Sequence, residues 1–408
     1  MTRLVLYEDR HWRALRPLTD LAPVPALWLG AATLAERWRR AAALPLLAIE
    51  ARGAALAAWR DAPQPESLPA AGADEVLVLN AAVQPGPWLA AARTGRVPAL
   101  WMGEGRVVGA RLPFDLLAPG LGRGEGFEKF LLGLGLPAQA VPDAPFLQHP
   151  WDLVAWNADA IRADVAALPA GIQGDVHGAM LLEPERVAVA AGARVDALAV
   201  LDARDGPIYL DRGASVRSHT LVIGPCYVGP GTQLLGGVIA RSSFGPECRV
   251  AGEVEECVWR GYANKRHHGF VGHSVIGAWA NLGALTTTSD LKNNYGSVRV
   301  WVDGAEIDSG SSKVGAMIGD HVKTGIGTLL PTGASVGVAA NLFGGGHFAP
   351  KRVASFAWWD GATSAEHELE KCVATARIAM SRRGVTLSPA DEAVLREAFA
   401  ATAKERRG

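Results

Sequence analysis

Leu210-Asp211-Arg212-Gly213-Ala214-Ser215-Val216-Arg217-Ser218-His219-Thr220-Leu221-Val222-Ile223-Gly224-Pro225-Cys226-Tyr227-Val228 is the stretch that decides how the chain is read. Leu210, Val216, Val222 and Val228 recur at every sixth position, and Leu234 continues the series. A second run is Phe270, Ile276 and Leu282. A third is Ile318, Thr324, Leu330, Val336 and Leu342, in which only Thr324 is polar. Glycine follows the periodic residue at Gly229, Gly277, Gly283, Gly319, Gly325 and Gly337.

A period of six suits neither the 3.6-residue turn of an α-helix nor the simple alternation of a hairpin strand. It suits a triangular coil of three short strands, with about eighteen residues per turn and one apolar residue pointing inward from each side. Stacked coils bury a continuous core that no single coil could bury alone. Glycine suits the corners because it tolerates unusual backbone angles. Residues from about 187 to 345 therefore read as a left-handed parallel β-helix of the hexapeptide-repeat kind. The period breaks around residues 236–268 and 289–312, the second break including Leu291-Lys292-Asn293-Asn294-Tyr295-Gly296. Loops thrown out of a solenoid gather on one face, often the binding face.

Working outward, residues 1–150 read as an α/β domain. Val76-Leu77-Val78-Leu79-Asn80 has a buried-strand pattern, and Ala31–Ala42 a helical one with Leu34 and Trp38 on one face. Residues 151–186 read as a linker region with helical spacing from Asp152 to Leu168. The β-helix domain is placed at 187–358, and C-terminal helices at 359–408. The first of these is expected over Glu366–Arg382. The second is introduced by Ser388-Pro389-Ala390-Asp391, an N-cap, a first-turn proline and a carboxylate at the third position. Such helices are expected to cap the open end of the solenoid.

A net charge of −1 gives no electrostatic reason to expect nucleic acid or a membrane surface as partner. Cys226, Cys248, Cys257 and Cys372 form no C-x-x-C pair and no zinc spacing, so they are expected to be reduced, buried thiols. The apolar run before Glu8 is too short for a signal peptide, and no stretch of about 18 apolar residues is present. A cytoplasmic protein is expected.

Several segments together resemble a known family. They are Gly261-Tyr262-Ala263-Asn264-Lys265-Arg266-His267-His268-Gly269-Phe270, Asn281-Leu282-Gly283-Ala284, Ser289-Asp290-Leu291-Lys292-Asn293-Asn294-Tyr295, Ile318-Gly319-Asp320-His321-Val322-Lys323-Thr324 and Asn341-Leu342-Phe343-Gly344. Leu15-Arg16-Pro17-Leu18-Thr19 and His149-Pro150-Trp151-Asp152 join them. The chain resembles sugar nucleotidyltransferases related to the bifunctional N-acetylglucosamine-1-phosphate uridylyltransferase / glucosamine-1-phosphate N-acetyltransferase. The likeness is strong over 258–358 and weak over 25–145. It implies an N-terminal domain that joins a sugar 1-phosphate to a nucleotide, and a β-helix that acetylates an amino sugar from acetyl-CoA. It also implies a homotrimer with acyltransfer sites between neighbouring β-helices.

Acetylating an amine needs a base for the amine proton and donors for the developing oxyanion. Histidine suits the base role because its pKa lies near working pH. The resemblance aligns His267 with the family's base, with His268 and His273 as alternatives. It aligns Asn281 with a sugar-binding asparagine, a residue that also ladders structurally inside β-helices. Asn264, Lys265, Lys292, Asn293 and Tyr295 are candidates for the rest of the sugar-phosphate pocket. Lys323, Gly344, Lys351 and Arg352 are candidates for coenzyme A. Relatives carry tyrosine where this chain has Phe270, which leaves the acceptor sugar open.

In the N-terminal domain Leu4-Val5-Leu6 leads into Tyr7-Glu8-Asp9 without a glycine-rich loop, and no lysine precedes Lys129. The arginine that family members carry before a second proline is replaced by Ala22. Where relatives place a magnesium-binding aspartate, this chain has Asn80. Arg13, Arg16 and Asn80 remain the candidate nucleotide contacts, with magnesium a candidate cofactor if the domain is active. Three readings stay open. The first is acetyl transfer to a sugar phosphate, with a nucleotidyltransferase-like domain attached. The second is nucleotidyl transfer with the β-helix serving only for assembly. The third is a trimeric scaffold that binds sugar nucleotides without turnover.

Overall fold

A computed structural model describes residues 2–65, 75–95 and 97–406. The chain divides into two compact units. One comprises residues 1–15, 22–27 and 32–148, the other residues 16–21, 28–31 and 149–408.

The first unit is built on a six-stranded sheet in the order Leu46–Glu50, Arg3–Tyr7, Glu75–Asn80, Arg106–Pro113, Ala99–Gly103, Ala138–Ala140. The first three strands are parallel, and Arg106–Pro113 runs against both its neighbours. The Val76–Asn80 pattern is a buried strand, as the apolar run requires. The helix expected at Ala31–Ala42 begins at Leu34, because Thr33 caps it by accepting the Glu36 amide.

The second unit is a parallel β-helix with C-terminal helices. One of its sheets has nine strands, and a single register column runs through all nine: Val189, Leu210, Val228, Phe244, Trp259, Ile276, Ile318, Val336 and Val353. All nine belong to one buried core. The pairing begins before residue 187, with Asp175–Val176 beside Arg194–Val195. Leu210, Val216, Val222, Val228 and Leu234 are all fully buried. Thr324 completes the third run by bonding sideways: its hydroxyl lies 2.7 Å from that of Thr286.

Four expectations are corrected. Residues 236–268 are not a break. The coils continue through Phe244, Val250, Val254 and Trp259, but Phe244 and Trp259 stand fifteen residues apart, and the shorter step hides the period. Phe270 is not inward. Val271 pairs with the buried Val254 and takes the core position. The glycines after the inward residues do not serve positive φ. A Cβ on Gly277 would lie 2.5 Å from the Asp320 nitrogen, and one on Gly245 2.5 Å from the Arg260 oxygen, so they allow successive coils to approach. The break at 289–312 is real: strands Arg299–Val302 and Ala305–Asp308 form an inserted antiparallel hairpin.

Helix Leu369–Ser381 does not cap the end of the solenoid but lies along its flank. Its first turn is beside Ala339, and Arg383 just past its end neighbours Glu247 and Arg249. That path crosses the paired rungs Asn341, Lys323, Asn281, Asn264 and Arg249. Four steps between strands span ~19 Å, and thirteen residues of helix ~20 Å, so the helix matches the flank it covers. The second helix, Pro389–Ala401, starts at Ser388 with a reciprocal capping box to Asp391. The four cysteines are free and buried. Among the described residues no helix is long and apolar enough to cross a membrane.

Candidate functional site

The β-helix unit holds a cavity of about 500 Å³ between its flank and helix Leu369–Ser381. Its floor is four consecutive rungs of one outward column: Arg249, Asn264, Asn281 and Lys323. The Asn264 amide donates to Asn281 Oδ1 at 2.7 Å, so the two form a short ladder. One wall is a stack of rings, with Tyr262 and Trp279 4.3 Å apart and His321 6.3 Å further on. All three sit at coil corners with positive φ. The roof is Thr375, Ile378, Ala379, Arg382 and Arg383. Lys323 Nζ donates to the Trp279 and His321 carbonyls at 2.8 and 3.1 Å. Burial lowers its pKa to about 8.

Of the residues singled out in the sequence, Asn264, Asn281 and Lys323 therefore come together. His267 lies in the turn that follows strand Asn264–Lys265, next to the cavity residue Arg266. It is exposed, and neither ring nitrogen has a partner among the described residues. His268 is also exposed.

His273 is placed differently. It is buried, with Asp290 2.7 Å from Nδ1 and Glu256 3.2 Å from Nε2. Burial works against its charge, but the two carboxylates prevail and raise its pKa to about 9. It is protonated at neutral pH and has no vacancy for a substrate proton.

Lys265 is not a pocket residue. It pairs with Val250 in the column of inward side chains and is fully buried. Its Nζ bonds the carbonyls of His267 at 2.7 Å and Ala251 at 3.2 Å, and burial lowers its pKa to about 8. The sequence carried a faint signal of this: Lys265 stands where the apolar column passes from Val250 to the next coil.

The remaining candidates lie elsewhere in the unit. Lys292 Nζ bonds the Ser297 carbonyl inside its own loop, where Asn293 and Tyr295 are exposed. Lys351 pairs with Glu306 at 2.9 Å, and the Arg352 guanidinium lies 4.5 Å from the Trp301 ring centre, so both hold the inserted hairpin. Gly344 packs against Gly361, whose Cα would lie 2.0 Å from an added Cβ. Arg16 belongs to the β-helix unit, bonded to Asp20 at 2.5 Å, Glu405 at 2.6 Å and Asp303 at 3.2 Å. Sequence reasoning missed Arg382 and Arg383, because nothing local says which surface a helix end will meet.

In the first unit Arg13 is exposed, 4.7 Å from the Trp12 ring centre. Asn80 is fully buried and donates to Asp9 at 2.8 Å and to the Val107 carbonyl at 3.1 Å. Arg106 pairs with the same Asp9 oxygen at 2.7 Å. Burial, and then Asp9, raise the pKa of the neighbouring Glu128. This donor set does not fit a magnesium ion. Asn80 is neutral, and the Asp9 carboxylate is already matched by a guanidinium. Among the described residues no group of three or more His, Cys, Asp or Glu could hold a metal.

Residues 4–173 match the sugar nucleotidyl transferase family. The chain is 39% identical over 93 residues to a bifunctional sugar-1-phosphate nucleotidylyltransferase/acetyltransferase of Sulfurisphaera tokodaii, a stretch covering 23% of each chain. It is 30% identical over 124 residues to the bifunctional protein GlmU of Methanococcus vannielii, covering 30% of this chain and 25% of that one. It is 26% identical over 192 residues to the GlmU of Methanococcus maripaludis, covering 46% of this chain and 40% of the relative. The matched stretches thus span less than half of each of these relatives. The chain is related to this bifunctional family.

Proposed function

We propose that the β-helix unit transfers an acetyl group from acetyl-CoA to the amine of a sugar phosphate. The observation that carries this reading is the exposed imidazole of His267, next in sequence to Arg266 of a cavity floored by Asn264, Asn281 and Lys323. The acceptor amine attacks the thioester carbonyl, and His267 takes the proton the nitrogen sheds. The tetrahedral intermediate collapses by breaking the C–S bond, and His267 returns the proton to the departing thiolate. Asn264 and Asn281 offer paired donors and acceptors to sugar hydroxyls. The activities for which the relatives are named support the same reading.

We further propose a cytoplasmic homotrimer, in which a neighbouring copy covers the exposed His267. Sugar-1-phosphate nucleotidyl transfer by the first unit is the second reading, favoured by the family match over residues 4–173. Arg13 is the proposed phosphate contact there, and no step is assigned to magnesium.

The test is thiol release from acetyl-CoA with a panel of amino-sugar phosphates. Release that His267→Ala abolishes is the expected result. A panel with no release, or release unchanged in the variant, sinks the acetyl-transfer reading. Pyrophosphate release from a nucleoside triphosphate and sugar 1-phosphates tests the second.

A further inference from the structure

In the first unit the strand Arg106–Pro113 runs against Glu75–Asn80, so its first residue meets the carboxyl-end side of the parallel strands, where Asp9 follows Tyr7 and Asn80 ends its own strand. Open α/β sheets take their ligands at the carboxyl ends of their strands. Three donors converge there on one oxygen, Asp9 Oδ2: Asn80 Nδ2 at 2.8 Å, Arg106 Nε at 3.0 Å and Arg106 Nη2 at 2.7 Å. The other carboxylate oxygen accepts the His11 amide at 3.0 Å. Asn80 turns its own oxygen to the Ala82 amide at 2.9 Å. Every oxygen of this pair of side chains is thus committed to an N–H donor. The Asp9 side chain is 1% exposed, and a carboxylate so buried needs a resident counter-charge. Arg106 supplies it and is itself fixed, its guanidinium carbon 4.0 Å from the Phe146 ring centre. Its Nη1 group, also an N–H donor, has no acceptor among the described residues.

We infer that Arg106 stands in the first unit for a divalent cation. Its guanidinium brings to Asp9, from within the chain, the positive charge that a metal ion would bring, and it keeps Nη1 for an anionic, phosphate-bearing ligand. A magnesium ion would have to displace a buried guanidinium from Asp9 Oδ2, and Asn80 offers it no second carboxylate. The guanidinium is permanently charged and its plane suits phosphate oxygens, so the first unit binds its anion without metal and keeps doing so in a chelator. The inference rests on the nucleotidyl-transfer reading for the class of ligand alone, not for the independence from metal.

Two measurements on the full chain test this. Manganese, a paramagnetic ion that enters magnesium sites, is titrated and its unbound fraction read by electron paramagnetic resonance. The parent and Asp9→Asn are expected to take up the same amount. Uptake by the parent that Asp9→Asn removes overturns the inference. The second measurement is calorimetric titration with inorganic pyrophosphate in EDTA. The parent is expected to bind it, and Arg106→Met to bind it about 10–100-fold more weakly, the loss of charge-assisted hydrogen bonds. Arg106→Lys, which keeps the charge, should recover part of the loss, and the manganese reading stands whatever Arg106→Met does to folding. No binding in EDTA, or parent-like binding by Arg106→Met, overturns the inference. Pyrophosphate binding in EDTA with no release from any nucleoside triphosphate upholds it while the nucleotidyl-transfer reading fails. Release that returns only with magnesium does the reverse.

Discussion

Lys265 holds the carbonyl oxygen of His267 at 2.7 Å from inside the β-helix core. A lysine is thus placed in an apolar column to fix the backbone of the turn that presents the proposed base. Lys265→Met fills the same space without the ammonium. It should lower His267-dependent thiol release at least ~10-fold through kcat, since a small misplacement of a reacting group has large effects. Unchanged kcat would show that the turn holds its shape unaided.

The same lysine sets a pH dependence. Its folded pKa is about 8 against a usual 10.5, so the unfolded chain binds more protons between these values. Stability contributed by this group therefore rises as pH climbs from 8 to 10.5. Lys323 acts in the same direction. Denaturant unfolding at pH 8 and pH 10 should show a smaller rise for Lys265→Met than for the parent. An equal rise would place the lysine ammonium in solvent.

His273 acts in the opposite direction. Its pKa is raised to about 9 from 6.5 by Asp290 and Glu256, against the effect of burial. The stability it contributes is full below pH 6.5 and is lost as pH rises through 9. His273→Gln should flatten unfolding free energy across that window, as read by urea titration at pH 6, 7.5 and 9. A variant with the parent's slope would refute the ion triad.

Trp259 sits in the nine-residue column beside Phe244, ring centres 5.8 Å apart, and its indole nitrogen is buried without a partner. Trp259→Ala should cost ~3–5 kcal/mol by opening a cavity. Trp259→Phe, which gives up no hydrogen bond, should cost less than about 2 kcal/mol. Chemical denaturation checks both, and equal costs would mean the column relaxes around either change.

Arg16 answers three carboxylates, and its side chain is 16% exposed. Arg16→Met should destabilise the chain by about 2–3 kcal/mol, somewhat less than a fully buried pair because solvent screens part of the charge. If Arg16 were instead a nucleotide contact, its loss would reduce nucleotide binding at an unchanged denaturation midpoint.

The repeat, the buried strand at Val76–Asn80 and the capped start at Ser388 are readable from the order of residues alone. Each is a local record: an inward residue must be apolar wherever its own strand lies, and a cap needs only its next three residues. Resemblance, not spacing, singled out His267, Asn264 and Asn281, of which Asn264 and Asn281 meet on one cavity floor. The tertiary structure alone decided that coils of uneven length carry the core through residues 236–268. It also decided that Lys265 points inward, that Lys351 and Arg352 hold a hairpin, and that Arg382 and Arg383 close a cavity some 120 residues earlier in the chain, at Asn264. Those outcomes depend on which surfaces meet, and a helix that presents a mixed face to solvent and to the solenoid does not state in its own spacing which rung it will cover.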